Sequence, residues 1–168
     1  RKVLAIVSPS RADGRSYLAA NLAIVFSQLG EKTLLIDADM RNPRQHELFG
    51  LHNQYGLSAL LTGRANGSVI EKIRNFENLS VLPAGATPPN PLELASRHEF
   101  AVLLRSEVRH FDVVLVDTPA AERSSDAEAI AARAGGALLL ARAHRSRNES
   151  LGQLAATLQT ARVELGGS

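Results

Sequence analysis

The chain of 168 residues contains no cysteine and no tryptophan, and only two tyrosines and five phenylalanines. Without thiols it can form neither a disulfide nor a thiolate metal site. With aromatics at 4% of the sequence, it lacks the flat surfaces on which unpaired bases stack, so nucleic acid is not expected as a partner. An excess of one charge is also missing. Nineteen Lys and Arg stand against seventeen Asp and Glu, a net +2, too little for a general polyanion-binding surface. No apolar run approaches the roughly twenty residues of a membrane-spanning helix. Arg1-Lys2 leads straight into an apolar run, without the pattern of a signal peptide. These absences describe a soluble, cytoplasmic protein of one domain. What the sequence has in quantity is hydrophobic residues, 45% of the total, enough for a substantial core.

The first stretch that carries chemistry is Val3 to Leu29. Val3-Leu4-Ala5-Ile6-Val7 is short, rich in β-branched residues and apolar throughout, which suits a strand buried on both faces. Ser8 to Ser16 then turns the chain. Leu18, Ala19, Leu22, Ala23, Val25, Phe26 and Leu29 recur at helical spacing, and Gly30 is placed to end the helix. Strand, loop and helix in that order make a phosphate site, because backbone N–H groups converge where the helix dipole is positive. A phosphate loop ends Gly-Lys-Ser/Thr; this one ends Gly14-Arg15-Ser16. Arg15 keeps the charge of the lysine but not its compact shape. An ordinary strand-to-helix turn fits the loop equally well.

Further apolar runs predict strands at Thr33–Ile36, Leu79–Pro83, Phe111–Pro119 and Ala137–Ala141. Between them, helical patterns run from Pro43 to Leu48 or Phe49, over Gly56–Gly63 and Val69–Ile73, from Pro91 through Val108, over Asp126–Ala134 and over Glu149–Val163. Asn90, Pro91 and Glu93 have the form of a capping box with proline at the first helical position. Strands alternating with helices predict an α/β fold: a doubly wound, mostly parallel sheet with helices on both faces. Right-handed crossovers then bring the loops after all the strands to one edge. Glu164 to Ser168 ends where one more strand is expected, so the domain, residues 1–168, is expected to be truncated at both ends.

Asp37, Asp39 and Asp117 each follow an apolar run and therefore fall on that edge. Singly, each could cap the next helix or pair with an arginine such as Arg41. Together, and beside Gly14 and Ser16, they favour a nucleotide–magnesium site, with acids and a hydroxyl for the metal and backbone amides for the phosphates. His46, His52, His98, His110 and His144 share no metal-ligand spacing and read as surface. The basic run Arg142–Arg147 reads as a solvated loop, with contact to a base, a neighbour or acidic headgroups as alternatives.

Three of these stretches resemble motifs of the bacterial tyrosine kinases (BY-kinases) of polysaccharide export. Asp37-Ala38-Asp39-Met40-Arg41 resembles the family's second acidic box, and Val113 to Pro119 its Walker B box. Gly85-Ala86-Thr87-Pro88-Pro89-Asn90-Pro91-Leu92-Glu93-Leu94 resembles its GxxPPNPxEL signature. The Gly-Arg-Ser-Tyr loop ending and Asn42 to His46 further resemble the EpsG-type branch, a cytoplasmic kinase paired with a chain-length determinant. The resemblance implies a P-loop NTPase-like protein-tyrosine kinase regulating exopolysaccharide chain length and export. Ser10, Arg11, Ala12, Asp13, Gly14, Arg15, Ser16 and Tyr17 would bind ATP. Ser16, Asp39 and Asp117 would hold Mg²⁺, Asp37 would orient or deprotonate a tyrosine, and Arg15 would take the catalytic lysine's place.

The resemblance also implies a partner, the cytoplasmic end of a transmembrane co-polymerase at the inner membrane, and a homo-oligomeric ring. The family's tyrosine-rich tail has no counterpart here: the tyrosines are Tyr17 and Tyr55. Arg15 motivates an alternative, a nucleotide-binding pseudokinase-like regulator of that co-polymerase. A septum-positioning or partition ATPase is a further alternative, but this loop lacks the extra lysine such proteins carry.

Overall fold

A computed structural model describes residues 2–142 and 148–166, so His144 and the run from 143 to 147 lie outside the described residues. In chain order the elements are β1 (Lys2–Val7), α1 (Arg15–Gln28), β2 (Thr33–Asp37), α2 (Gln45–Phe49), α3 (Leu57–Leu61), β3 (Glu71–Lys72), β4 (Leu79–Leu82), α4 (Pro91–Ser96), α5 (His98–Glu107), β5 (Val113–Asp117), α6 (Asp126–Ala134), β6 (Gly136–Leu139), α7 (Asn148–Thr160) and β7 (Glu164–Gly166).

They form one seven-stranded sheet in the order β3-β4-β2-β5-β1-β6-β7. Every pairing is parallel except β3 with β4. Alternate residues of the central strands face opposite layers. Ala5, Val7, Leu34, Ile36, Val114 and Val116 enter one core with Leu57 and Leu61 of α3 and with residues of α4 to α7. Ile6, Leu35 and Leu115 enter the other, with Ala19, Ala20 and Ala23 of α1 and Phe49 of α2 packed against it. Burial on both faces is why the strands read as unbroken apolar runs.

The structure adds one strand that the sequence did not predict, supplies another where one was expected, and divides one helix. Glu71–Lys72, read as helical within Val69–Ile73, pairs antiparallel with β4 after a 3₁₀ turn at Gly67–Val69. Five residues of helical spacing cannot be told from a short edge strand by period alone. Glu164–Gly166 pairs with β6 and supplies a strand where one more was expected. The helix from Pro91 breaks at Arg97, whose extended φ −65°, ψ 152° separates α4 from α5. Asn90 does not cap the backbone; its side chain instead donates to Glu93.

The signature loop after β4 has an architectural role. Asn53 grips Gly85 at both ends, accepting from its N–H at 2.8 Å and donating to its carbonyl at 3.1 Å. The Leu57 and Ser58 amides at the start of α3 donate to the carbonyls of Pro83 and Ala84. Gly56 lies so close beneath that a Cβ there would sit 2.1 Å from the Pro83 carbonyl oxygen. Gly56→Ala is therefore expected to destabilise the fold by about 3 kcal/mol, read from urea denaturation.

Candidate active site

β1, β5 and β2 are adjacent, and their C-terminal ends assemble the site. Asp37 and Asp117 are direct partners in the parallel register, so both carboxylates emerge at the same height on neighbouring strands. The loop after β1 is fastened to the segment after β5. Ala121 and Glu122 donate to the carbonyls of Ser8 and Pro9, Glu122 accepts from the Arg11 amide at 2.9 Å, and Thr118 Oγ1 donates to the Ile6 carbonyl at 2.7 Å. Within the loop, Ala12 (φ 62°) and Gly14 (φ 85°) both adopt the left-handed region, the kind of turn that converges N–H groups into an anion nest. Asp13 accepts the Ser10 amide at 3.0 Å. Gly14 precedes α1, whose N-terminus has no side-chain cap among the described residues and whose first residues line the cleft.

The cleft so formed has a volume of about 560 Å³ and is lined by Arg11, Ala12, Gly14 to Tyr17, Asp39, Arg41 to Arg44, Glu47, Pro119 and Ala120. Six of the eight residues expected to bind nucleotide thus lie on its wall. Ser10 instead borders a separate hollow with Pro9, Glu122 and Glu128, and Asp13 is buried within the loop.

Arg15 is turned inward and is 8% exposed. Its guanidinium donates to the Thr118 carbonyl and, at 2.6 Å, to Ser8 Oγ, and it stands 3.6 Å from Asp117 and 3.8 Å from Asp39. It is the counter-ion of the two acids. Arg41 does not pair with any of the three strand-end acids. Instead it makes a two-bond contact with Asp126 at the start of α6, at 2.7 and 3.3 Å.

The three acids differ in what they can do. Asp37 is completely buried and does not line the cleft. Its carboxylate accepts the amides of Asp39, Arg44 and Gln45, and in this respect it does act as a cap, for α2. Burial and the neighbouring Asp117 charge raise its proton affinity well above that of an ordinary carboxylate. Asp39 reaches the cleft wall and accepts the Asn42 amide at 2.9 Å; burial raises its pKa too. Asp117 is pushed up to about 6 by burial, while the Arg15 charge, the Gln45 amide and the Ser16 hydroxyl pull it back. Its Oδ2 accepts from Gln45 at 2.8 Å, but its Oδ1 is buried with no hydrogen bond among the described residues.

A buried carboxylate oxygen without a hydrogen bond among the described residues, near Ser16 and with a second acid across the arginine, suits a magnesium ion. No group of three or more His, Cys, Asp or Glu side chains among the described residues could hold a metal by itself. Mg²⁺ does not require such a cage: it takes one or two carboxylates together with substrate phosphates.

No protein-family model matches the chain. Among individual proteins, the tyrosine-protein kinase YwqD of Bacillus subtilis is 35% identical over 167 residues, covering 99% of this chain and 70% of YwqD. The chain belongs to the bacterial tyrosine kinase family. CapB of Staphylococcus aureus is 44% identical over 77% of the chain, and the tyrosine-protein kinase Wzc of Salmonella typhimurium 38% identical over 83%. The matches span 57% of CapB and 20% of Wzc.

The solved kinase domain of Escherichia coli ETK superposes on this BY-kinase chain with a TM-score of 0.93 at 33% identity, covering 99% of this chain and 65% of that one. MinD of Pyrococcus horikoshii, a septum site-determining protein solved with Mg-ADP, has a TM-score of 0.84 at 23% identity, covering 98% and 67%. With MinD the BY-kinase chain shares the P-loop NTPase-like fold alone. No helix among the described residues is long and apolar enough to cross a membrane.

Two residues of the site gave little signal in sequence. Gln45, completely buried, bonds both Asp117 and the Ser16 carbonyl. Ser8 receives the Arg15 guanidinium. Neither carries a charge nor sits at a strand end among acids, and only the fold brings them in.

Proposed function

We propose that this chain is the catalytic domain of an ATP-dependent protein-tyrosine kinase regulating exopolysaccharide chain length and export. The observation that carries the reading is Asp117 Oδ1, buried without a hydrogen bond among the described residues and 3.6 Å from the Arg15 guanidinium, at the foot of a phosphate-type loop that ends in Gly14-Arg15-Ser16. The amides of Gly14 to Tyr17 at the start of α1 would bind the ATP phosphates, and Arg11 and Arg15 would add charge around them. Ser16, Asp39 and Asp117 would hold Mg²⁺, which when bound neutralises the phosphate oxygens during transfer.

Asp37 has the orienting role. By holding the amides of Asp39, Arg44 and Gln45 it fixes the turn that carries Asp39 to the cleft. Acceptance of the tyrosine proton by Asp37 requires that turn to open; its raised proton affinity suits it to keep the proton afterwards. The whole protein is proposed to act at the inner membrane. There it would work through the cytoplasmic end of a transmembrane co-polymerase and assemble as a ring of identical subunits, as the family resemblance implies.

The test is incubation of the full-length protein with labelled ATP and Mg²⁺, followed by phosphotyrosine blotting. Label on tyrosine is expected in wild type and absent from Asp37→Ala. A calorimetric titration with no ATP binding at millimolar concentration would remove the reading altogether.

A further inference from the structure

Gln45 opens α2 and belongs to neither acidic box, yet it bonds Asp117 and Ser16, two of the three residues that the metal reading uses, and Asp37 beside them. Its backbone amide donates to Asp37 Oδ2 at 2.9 Å. Its side-chain nitrogen donates to Asp117 Oδ2 at 2.8 Å and to the Ser16 carbonyl at 2.9 Å. Both partners are acceptors only, so the carboxamide can face them with nitrogen and not with oxygen. The side chain is completely buried, and its Oε1 has no hydrogen bond among the described residues.

A residue wanted for volume alone would carry no orphaned oxygen there, since burying one without a partner costs free energy that methionine or leucine avoids. The polarity of Gln45 is therefore spent on the two bonds its nitrogen makes. They tie Ser16, which lines the cleft, to the acid at the end of β5, and they occupy one oxygen of that acid while leaving the other without a hydrogen bond among the described residues, 3.6 Å from the Arg15 guanidinium.

We infer that Gln45 is a positioning residue for the magnesium site: its amide nitrogen engages Asp117 Oδ2 and the Ser16 carbonyl, fixing the acid and α1 together so that Asp117 Oδ1 is the oxygen offered to the cation. The inference rests on the reading that Ser16, Asp39 and Asp117 hold the metal. Asp37 is kept apart from that ligand set by the same residue, which takes it through the main chain and Asp117 through the side chain. Partners of this kind, which touch a ligand and not the metal, commonly alter metal affinity by about 10- to 100-fold when removed.

The test uses the full-length protein with ADP, and Mn²⁺ as a paramagnetic stand-in for Mg²⁺. Gln45→Met keeps the volume and removes the donor, and it is expected to weaken Mn²⁺ binding by about 10- to 100-fold. Gln45→His returns one N–H donor and is expected to recover part of that loss. Metal-free ADP affinity should stay within about twofold in both variants, because the bond to Ser16 is made at its carbonyl and not at an amide proposed for phosphate. If the methionine protein fails to fold, Gln45→Asn keeps the amide one methylene short of its partners and should show the same loss.

Unchanged Mn²⁺ affinity in a folded methionine or asparagine variant overturns the inference, as does a loss in the histidine variant equal to that in the methionine variant. Asp117→Asn separates this from the reading beneath it. If Asp117→Asn abolishes Mn²⁺ binding while Gln45→Met leaves it intact, only the role of Gln45 fails. If Asp117→Asn binds Mn²⁺ as wild type does, the metal site itself is misplaced and both fall.

Discussion

Asp117→Asn in the full-length protein is expected to reduce phosphotransfer by about a thousandfold while raising the melting temperature of the nucleotide-free protein. The loss follows from removing a carboxylate of the proposed metal site, since a bound cation contributes several kcal/mol of charge stabilisation in phosphoryl transfer. The gain follows from burial. Asp117 is fully enclosed and aligned with a second buried acid, Asp37, and its pKa of about 6 in the fold lies above the ordinary value of 3.8.

Between those two values the native state holds more protons than the unfolded chain, so stability falls as pH rises through the window and stays lower above it. Asp37, shifted in the same direction, adds to the slope. Asparagine at 117 cannot ionise and removes its part of the penalty. The variant should therefore melt a few degrees higher than wild type at pH 7.5, on the order of 2–4 °C per kcal/mol for a chain of this size. The difference should close towards pH 4. Mg²⁺ should raise the wild-type melting temperature at neutral pH and leave that of the variant unmoved. Thermal scans across pH with and without metal, beside a labelled-ATP assay, read all of this. Parallel pH slopes in the two proteins would contradict it.

The Arg15 series has the second largest expected effect. Arg15→Ala should lower phosphotransfer by about 100- to 1000-fold, the cost of removing one strong donor to a transferring group. It also leaves Asp39 and Asp117 without their counter-ion. Arg15→Lys should change the rate by less than about tenfold, because a compact ammonium can reach phosphates from the same position. Stability should respond in the opposite order to activity for that variant. The guanidinium bonds Thr118 and Ser8 while facing both acids, and one ammonium cannot match that fork. A buried acceptor left unpaired costs about 1–3 kcal/mol, visible as a lower urea midpoint of the nucleotide-free protein. A large gain in phosphotransfer with lysine would mean instead that the arginine disables the site, and the pseudokinase reading would take its place.

The sheet was legible because its inner strands are buried on both faces and so are written as unbroken apolar runs; the strand-end acids followed from where those runs stop. β3 was not legible. A two-residue edge strand has too few side chains to reveal a period, and Val69 and Ile73 sit at spacing that helix and edge segment share. Arg97 carries no break signal of its own, so the division between α4 and α5 depends on tertiary contacts, among them the Arg133 side chain of α6 donating to the Ser96 carbonyl. The site was half legible. Spacing placed Asp37 at the right rim, but not that its oxygens would be taken by the backbone amides of Asp39, Arg44 and Gln45. Arg15 was legible as a charge, not as a side chain folded back beneath its own loop.

Ala12 holds the left-handed conformation at φ 62°, a position where glycine would be more comfortable by roughly 1–2 kcal/mol. A methyl group there restricts the unfolded chain more than glycine would, and in the folded chain the bend exists before any phosphate arrives. Neighbouring structure enforces it, through the Asp13 bond to the Ser10 amide, the Glu122 bond to the Arg11 amide and the Arg142 guanidinium on the Ala12 carbonyl. The cradle is thus set during folding, and an incoming anion meets a shape that it does not have to impose.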